Sequence, residues 1–247
     1  MKHSTRSLFT AFSPALLHLY DVKDAIVVVI DVLRATSTIA TALSNGASCV
    51  IPVDDVEKCI AIGKSMNCIT AGERDGKIAD GLEYGNSPFE YPREFIQGKV
   101  LVLTTTNGTK LLHMAVSMGA SHIVTGSFSN LNTVCQYLIG QQQPAILACA
   151  AWKDRVNMED LLFAGAVIAE LRNHFSINCD SSKIAESLFH EASPDLYSFV
   201  KKNEASHYQR LSSYGLEKDI RYCLTPDTAN VLPFYEDEKL IVHRSQQ

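Results

Sequence analysis

An internal repeat constrains the fold of this chain more than any other feature. Shifted by 73 positions, the sequence aligns with itself without a gap over a strand, a turn, a helix and a second strand. Val28-Val29-Ile30 leads into Asp31-Val32-Leu33-Arg34-Ala35-Thr36-Ser37-Thr38. Val100-Leu101-Val102-Leu103 leads into Thr104-Thr105-Thr106-Asn107-Gly108-Thr109. Thr36 falls on Thr109, Ala42 on Ala115, and Gly46-Ala47-Ser48 on Gly119-Ala120-Ser121. Cys49-Val50-Ile51 falls on His122-Ile123-Val124. Chance likeness in a chain rich in Ala, Val and Ile is the weaker alternative to a duplicated strand–loop–helix–strand unit. A unit of this kind returns each strand in the same direction and so builds a parallel sheet.

Other segments fit that frame. Apolar runs with β-branched residues recur at 26–30, 49–53, 100–103, 122–124 and 145–149. Helical periodicity follows at 38–45, 56–66, 110–118, 131–139 and 159–174. Residues 8–20 read as a first strand and helix, since Ser13, Pro14 and His18 interrupt the apolar run and no cleavage site follows. The expected fold is α/β: three layers, α/β/α, with a mostly parallel sheet. The whole of 1–247 is expected to form one unit, from two related halves at about 25–70 and 98–140 plus a helical C-terminal part. In that part 181–212 reads as two or three helices. Residues 219–224 and 231–234 read as short and β-like, and 240–242 as a small strand. The connection 70–98, with its glycines, charges and proline, reads as a long irregular loop of functional character.

Charge and cysteine usage exclude several classes. The net charge is -5 with no basic run, which argues against a nucleic-acid partner. No apolar run is long enough to span a membrane. Seven cysteines are scattered without a C-x-x-C pair, which suits reduced thiols in a cytoplasmic protein. The eight histidines show no zinc spacing. A homo-oligomer is compatible with this composition, and the sequence does not select one.

Four clusters at strand ends carry chemistry. Asp31 follows a buried strand and suits a hard cation or a nucleophile; a helix cap is the structural alternative. Arg34 suits an oxyanion. The Asp-x-Asp pattern of aspartyl-phosphate phosphatases is missing, because Leu33 holds the second position. The turn Thr105, Thr106, Asn107, Gly108, Thr109 gathers hydroxyls and free backbone N–H groups at a helix start. One threonine suffices for a cap, whereas a run of them suits a phosphate. The loop residues Glu73, Arg74, Asn86 and Ser87 can ligate a cation or hold an anion, or serve only as turn residues. Glu159 and Asp160 open a helix, where the dipole alone favours acids. If they approach Asp31, three carboxylates make an oxygen-rich site typical of magnesium. Ser127, Ser129 and Asn130 follow the second strand of the second copy, at the same edge.

The ordered set Ile30–Thr38, Gly72-Glu73-Arg74, Gly85-Asn86-Ser87-Pro88, Thr105–Thr109, Gly126-Ser127-Phe128-Ser129-Asn130 and Glu159-Asp160 resembles the 2-phosphosulfolactate phosphatase family. Asp219-Ile220-Arg221-Tyr222-Cys223 shares the resemblance. It implies a three-layer α/β/α fold and a Mg²⁺-dependent hydrolase taking phosphate from (2R)-O-phospho-3-sulfolactate, a step of coenzyme M biosynthesis. Two stretches depart from the family pattern. Gly81-Leu82-Glu83-Tyr84 carries glutamate where the family has aspartate. Cys149-Ala150-Ala151-Trp152-Lys153-Asp154-Arg155 replaces a glycine-rich loop and is expected to reshape the pocket. With that resemblance the site assignment is Asp31, Glu159 and Asp160 on Mg²⁺, the threonine turn on phosphate, and Arg34 and Arg74 on substrate anions. Attack by a metal-bound water and by Asp31 itself both remain open. A non-catalytic anion-binding protein is the rival reading, and the three acids weigh against it.

Overall fold

A computed structural model describes residues 6–74 and 77–243. The strands are β1 (Leu8–Ala11), β2 (Ile26–Ile30), β3 (Cys49–Val53), β4 (Ile69–Arg74), β5 (Lys77–Ile78), β6 (Val100–Thr104), β7 (His122–Gly126), β8 (Ala145–Cys149), β9 (Pro233–Glu236) and β10 (Lys239–Val242). The α-helices are α1 (Ala35–Ser44), α2 (Val56–Met66), α3 (Arg93–Ile96), α4 (Gly108–Ser117), α5 (Leu131–Gly140), α6 (Met158–Leu171), α7 (Asp180–Ala192), α8 (Leu196–Lys202), α9 (Ser206–Ser213) and α10 (Glu217–Cys223).

The strands form one sheet in the order β1-β8-β2-β7-β9-β10-β3-β6-β4-β5. Two parallel blocks, β1-β8-β2-β7 and β3-β6-β4, are joined by the antiparallel hairpin β9–β10. The hairpin touches β7 at Val124↔Phe234 and β3 at Val50↔Leu240. Alternation along β2 explains the layering. Ile26, Val28 and Ile30 enter a core with α5, α6 and α7, while Val27 and Val29 enter a second core with α1 and α4. Helices therefore cover both faces, giving the three-layer α/β/α arrangement.

The repeat is visible element by element. Moved by 73 residues, the bounds of α1 become those of α4, and those of β3 become those of β7. The copies are interlaced: β2 of the first pairs with β7 of the second, and β3 of the first pairs with β6 of the second. Both first strands thus end at the same carboxyl edge, in opposite blocks of the sheet.

Three expectations need correction. The connection 70–98 is not irregular throughout, because Ile69–Arg74 is a strand parallel to β6 and Lys77–Ile78 pairs back on it. Residues 219–224 are not β-like: Glu217–Cys223 is a helix whose Ile220, Cys223 and Leu224 are buried at helical spacing. The strand expected at 231–234 begins only at Pro233.

Candidate active site

A cleft of about 530 Å³ opens at the carboxyl edge, where the two copies meet. Asp31, Leu33 and Arg34 come from the first copy's turn, and Thr105, Thr106 and Asn107 from the second's. Glu73 and Asn86 add the third wall. Trp152 and Lys153, after β8, and His207, Arg210 and Leu211, on α9, close the fourth.

The starts of α1 and α4 lie against each other. A Cβ on Gly108 would stand 2.9 Å from Asp31 Oδ2 and 3.3 Å from the Cβ of Ala35, which is the repeat counterpart of Gly108. Glycine is required here by that approach and not by backbone conformation. Thr109 Oγ1 donates to the Thr105 carbonyl at 2.7 Å and holds the turn closed. Thr105 Oγ1 and Asn86 Oδ1 are buried without a hydrogen-bond partner among the described residues. Two polar oxygens orphaned beside one cleft are a signature of a ligand or ion that completes them.

Asp31 is buried, and its carboxyl titrates at about 6. Burial is the main cause; His207 opposes it, and the charges of Glu73 and Glu159 add to it, while the Ala35 amide favours the charged form. Asp160 lies deeper. Its Oδ1 accepts from Val32 N–H at 2.9 Å and its Oδ2 from Ala151 N–H at 3.2 Å, so it straps the end of β2 to the end of β8. Burial, then Glu159 and Asp31, hold its carboxyl well above the ordinary range. Glu159 Oε1 lies 2.6 Å from His207 Nδ1, and both side chains are buried. The second ring nitrogen of His207 has no hydrogen-bond partner among the described residues, and the ring lines the cleft.

The other expected residues divide. Arg34 lines the cleft, but its Nη1 is 2.5 Å from Asp219 Oδ2 of α10, and both side chains are buried. Arg74 is not on the wall. It donates to the Glu73 carbonyl at 2.7 Å and to Thr104 Oγ1 at 3.0 Å. Glu73 accepts from Thr106 at 3.4 Å. Ser87 caps the short turn after it by accepting from Phe89 N–H at 3.3 Å. Ser127 and Asn130 are fully buried away from the cleft. Asn130 accepts from Ser127 N–H at 2.9 Å and donates to the carbonyls of Thr125 and Val231. These two residues anchor the chain leading to the hairpin.

His207 and Arg210 were not expected from the sequence. They sit on a short polar helix far from any strand end, and the signal they carried is weak. His207, Arg210 and Leu211 share one face at i, i+3 and i+4, and all three meet the cleft.

This geometry has counterparts among known proteins. The model of the family described as 2-phosphosulpholactate phosphatase matches residues 11–238. The chain belongs to the 2-phosphosulpholactate phosphatase family. A protein of Thermotoga petrophila called "Probable 2-phosphosulfolactate phosphatase" is 44% identical over 207 residues, which is 83% of this chain and 87% of that protein. Proteins of the same printed name from Caldanaerobacter subterraneus and Clostridium novyi are 37% and 34% identical. They cover 86% and 89% of this chain, and 88% and 92% of their own lengths. As a member of the 2-phosphosulpholactate phosphatase family the chain is a phosphoric monoester hydrolase. No helix among the described residues is long and apolar enough to cross a membrane.

The cleft also bears on the magnesium expected from the sequence. Among the described residues no three His, Cys, Asp or Glu side chains form a ready-made ligand group. The donors that do face or border the cleft are oxygens: Asp31, Glu73, the orphaned Asn86 Oδ1 and the orphaned Thr105 Oγ1. That set fits a hard cation of the Mg²⁺ type, which takes one or two carboxylates and draws its other ligands from water and substrate phosphate.

Proposed function

We propose that the protein hydrolyses (2R)-O-phospho-3-sulfolactate to sulfolactate and phosphate, with Mg²⁺, in the cytoplasm. The observation that carries this reading is the meeting of an acidic strand end and a threonine-rich helix start across one cleft, in a chain of this family. Asp31, with Glu73 and Asn86, would hold the ion, which supplies a positive centre for the phosphoryl oxygens. Glu159 and Asp160 are already engaged, by His207 and by two backbone amides. They would act from behind Asp31 and orient the site.

The residues of this chain then have separable tasks. The free N–H groups at the start of α4, with Thr105 and Asn107, receive the phosphate, and the helix dipole favours its charge. Asp31 lies against that turn at Gly108. It serves either by holding the ion or by attacking phosphorus itself. His207, held through Nδ1 by Glu159, lines the cleft with its other nitrogen unengaged among the described residues and would give a proton to the departing alkoxide.

The test is phosphate release from phosphosulfolactate, with Mg²⁺ and with EDTA. Metal-dependent release is expected. No release in either condition would sink the substrate assignment and favour another phosphorylated hydroxy acid. Borohydride reduction during turnover separates the two attacks: conversion of Asp31 to homoserine indicates a phosphoaspartyl enzyme, and an unmodified Asp31 indicates attack by water.

A further inference from the structure

The cations expected to hold the substrate's anions are mostly engaged elsewhere. Arg34 is balanced by Asp219, and Arg74 lies off the wall. Two other cations line the cleft, Lys153 and Arg210, and neither has a carboxylate partner among the described residues. Both lie over one ring. Arg210 Cζ is 4.4 Å and Lys153 Nζ is 4.6 Å from the centroid of Trp152. An aromatic face fixes a cation without neutralising it, because it attracts through its quadrupole and leaves the N–H donors for a ligand. Arg210 Nε is buried and makes no hydrogen bond among the described residues.

The backbone under Trp152 and Lys153 is built to keep them there. Trp152 and Arg155 exchange both backbone hydrogen bonds, at 2.9 and 3.0 Å. The two residues between them, Lys153 and Asp154, have φ of 52° and 60°. That is the sign pattern of a type I′ turn, which glycine or asparagine usually occupies. Lysine is uncommon at a left-handed position, and the tight turn fixes where its side chain begins. Asp154 lies 3.4 Å from Lys110 of α4, so the turn is tethered to the helix whose start forms the phosphate end of the cleft.

We propose that Trp152, Lys153 and Arg210 form a second anion subsite, in the same cleft as the threonine turn, which binds the non-reacting acidic group of the substrate and selects phosphoesters that carry one. The proposal rests on the phosphatase reading of the cleft. It commits to a sulfonate or carboxylate close to the phosphoester, oxyanions whose two or three equivalent oxygens a guanidinium and an ammonium can bind together.

The experiment compares phosphosulfolactate with phenyl phosphate, an ester without a second acid, in the unsubstituted protein and in Lys153→Ala, Arg210→Gln and Arg210→Lys. The readout is the ratio of kcat/KM for the two esters. In Lys153→Ala and Arg210→Gln that ratio should fall about tenfold or more, chiefly through KM for phosphosulfolactate, with part of it restored in Arg210→Lys. A ratio within twofold of the unsubstituted value in both variants overturns the subsite. Lys153 is exposed, so its variant keeps the test decisive if Arg210→Gln fails to fold. If the unsubstituted protein turns over neither ester, the phosphatase reading falls, and calorimetric binding of sulfolactate judges the subsite by itself. Affinity at least tenfold weaker in Lys153→Ala sustains it, and equal affinity overturns it.

Discussion

At the scale of single residues, Asp31 carries opposed demands. It is buried with Glu73 and Glu159 nearby, and its carboxyl titrates at about 6 against 3.8 for an exposed aspartate. Between these values the folded protein binds the proton that the unfolded chain has released. Stability from this group is therefore present at pH 4 and lost as pH rises through 6. Asp31→Asn should abolish turnover by about three orders of magnitude or more and, in EDTA, raise the melting temperature at pH 7.5 more than at pH 5. Thermal denaturation at both values checks this; a lower melting temperature at pH 7.5 would remove the picture of a buried, uncompensated charge. Gly108→Ala tests the approach of the two helix starts. A Cβ 2.9 Å from Asp31 Oδ2 forces α4 or Asp31 to move, at a cost of about 1–3 kcal/mol, and kcat should fall with it. Unaltered kinetics and stability would mean that the two turns slide apart freely. Asp31 and the threonine turn were legible in the sequence because a strand end followed by a helix start has fixed local geometry. His207 and Arg210 were not, since their place depends on how α9 packs over the cleft, a long-range fact that no local pattern encodes.

At the scale of elements, α10 shows how the helical C-terminal part bears on the site. Its Asp219 meets Arg34 at 2.5 Å in a buried pair, beside the Thr41–Tyr222 hydroxyl contact of 3.0 Å that fastens α10 to α1. Removing one member of a buried pair leaves the other charged and unmatched. Asp219→Ala should therefore destabilise the fold by about 3–5 kcal/mol, while the double change Arg34→Met with Asp219→Leu should recover most of that loss. Urea unfolding of the two variants decides it; a mild single-variant effect would show that Arg34 finds water or another acceptor. The same helix explains one misreading of the sequence. Ile220, Tyr222 and Leu224 alternate as in a strand, but the residues that bury are Ile220, Cys223 and Leu224, at helical spacing. The strand Ile69–Arg74 was hidden for the opposite reason. Gly72, Glu73 and Arg74 read as loop, yet Gly72 lies so close to Thr104 of β6 that a Cβ there would meet the Thr104 carbonyl oxygen at 2.5 Å. A glycine that signals a turn in isolation is here the condition for two strands to close.

At the scale of the whole molecule, the cleft lies on a seam. Asp31 ends β2, in one parallel block; the threonine turn ends β6, in the other. Among the described strands the blocks are paired to each other only through β9–β10. The interlaced copies make this arrangement possible, because each crossover helix starts in one block and delivers its second strand to the other. The distance between the acidic wall and the phosphate wall is then set partly by a hairpin that touches neither. Leu240 is its buried anchor, fully enclosed in the core beside Val50. Leu240→Ala should cost about 2–5 kcal/mol by cavity formation. It should also lower kcat several-fold even at temperatures where the fold remains intact, because widening the seam by a fraction of an ångström misplaces groups that must act together. Kinetics well below the melting transition, set beside hydrogen exchange of the hairpin amides, measure both effects. A variant that loses stability but keeps full kcat would show that α1 and α4, packed start to start, fix the cleft without the hairpin. The duplicated unit would then be the whole of the catalytic frame, and β9–β10 only its brace.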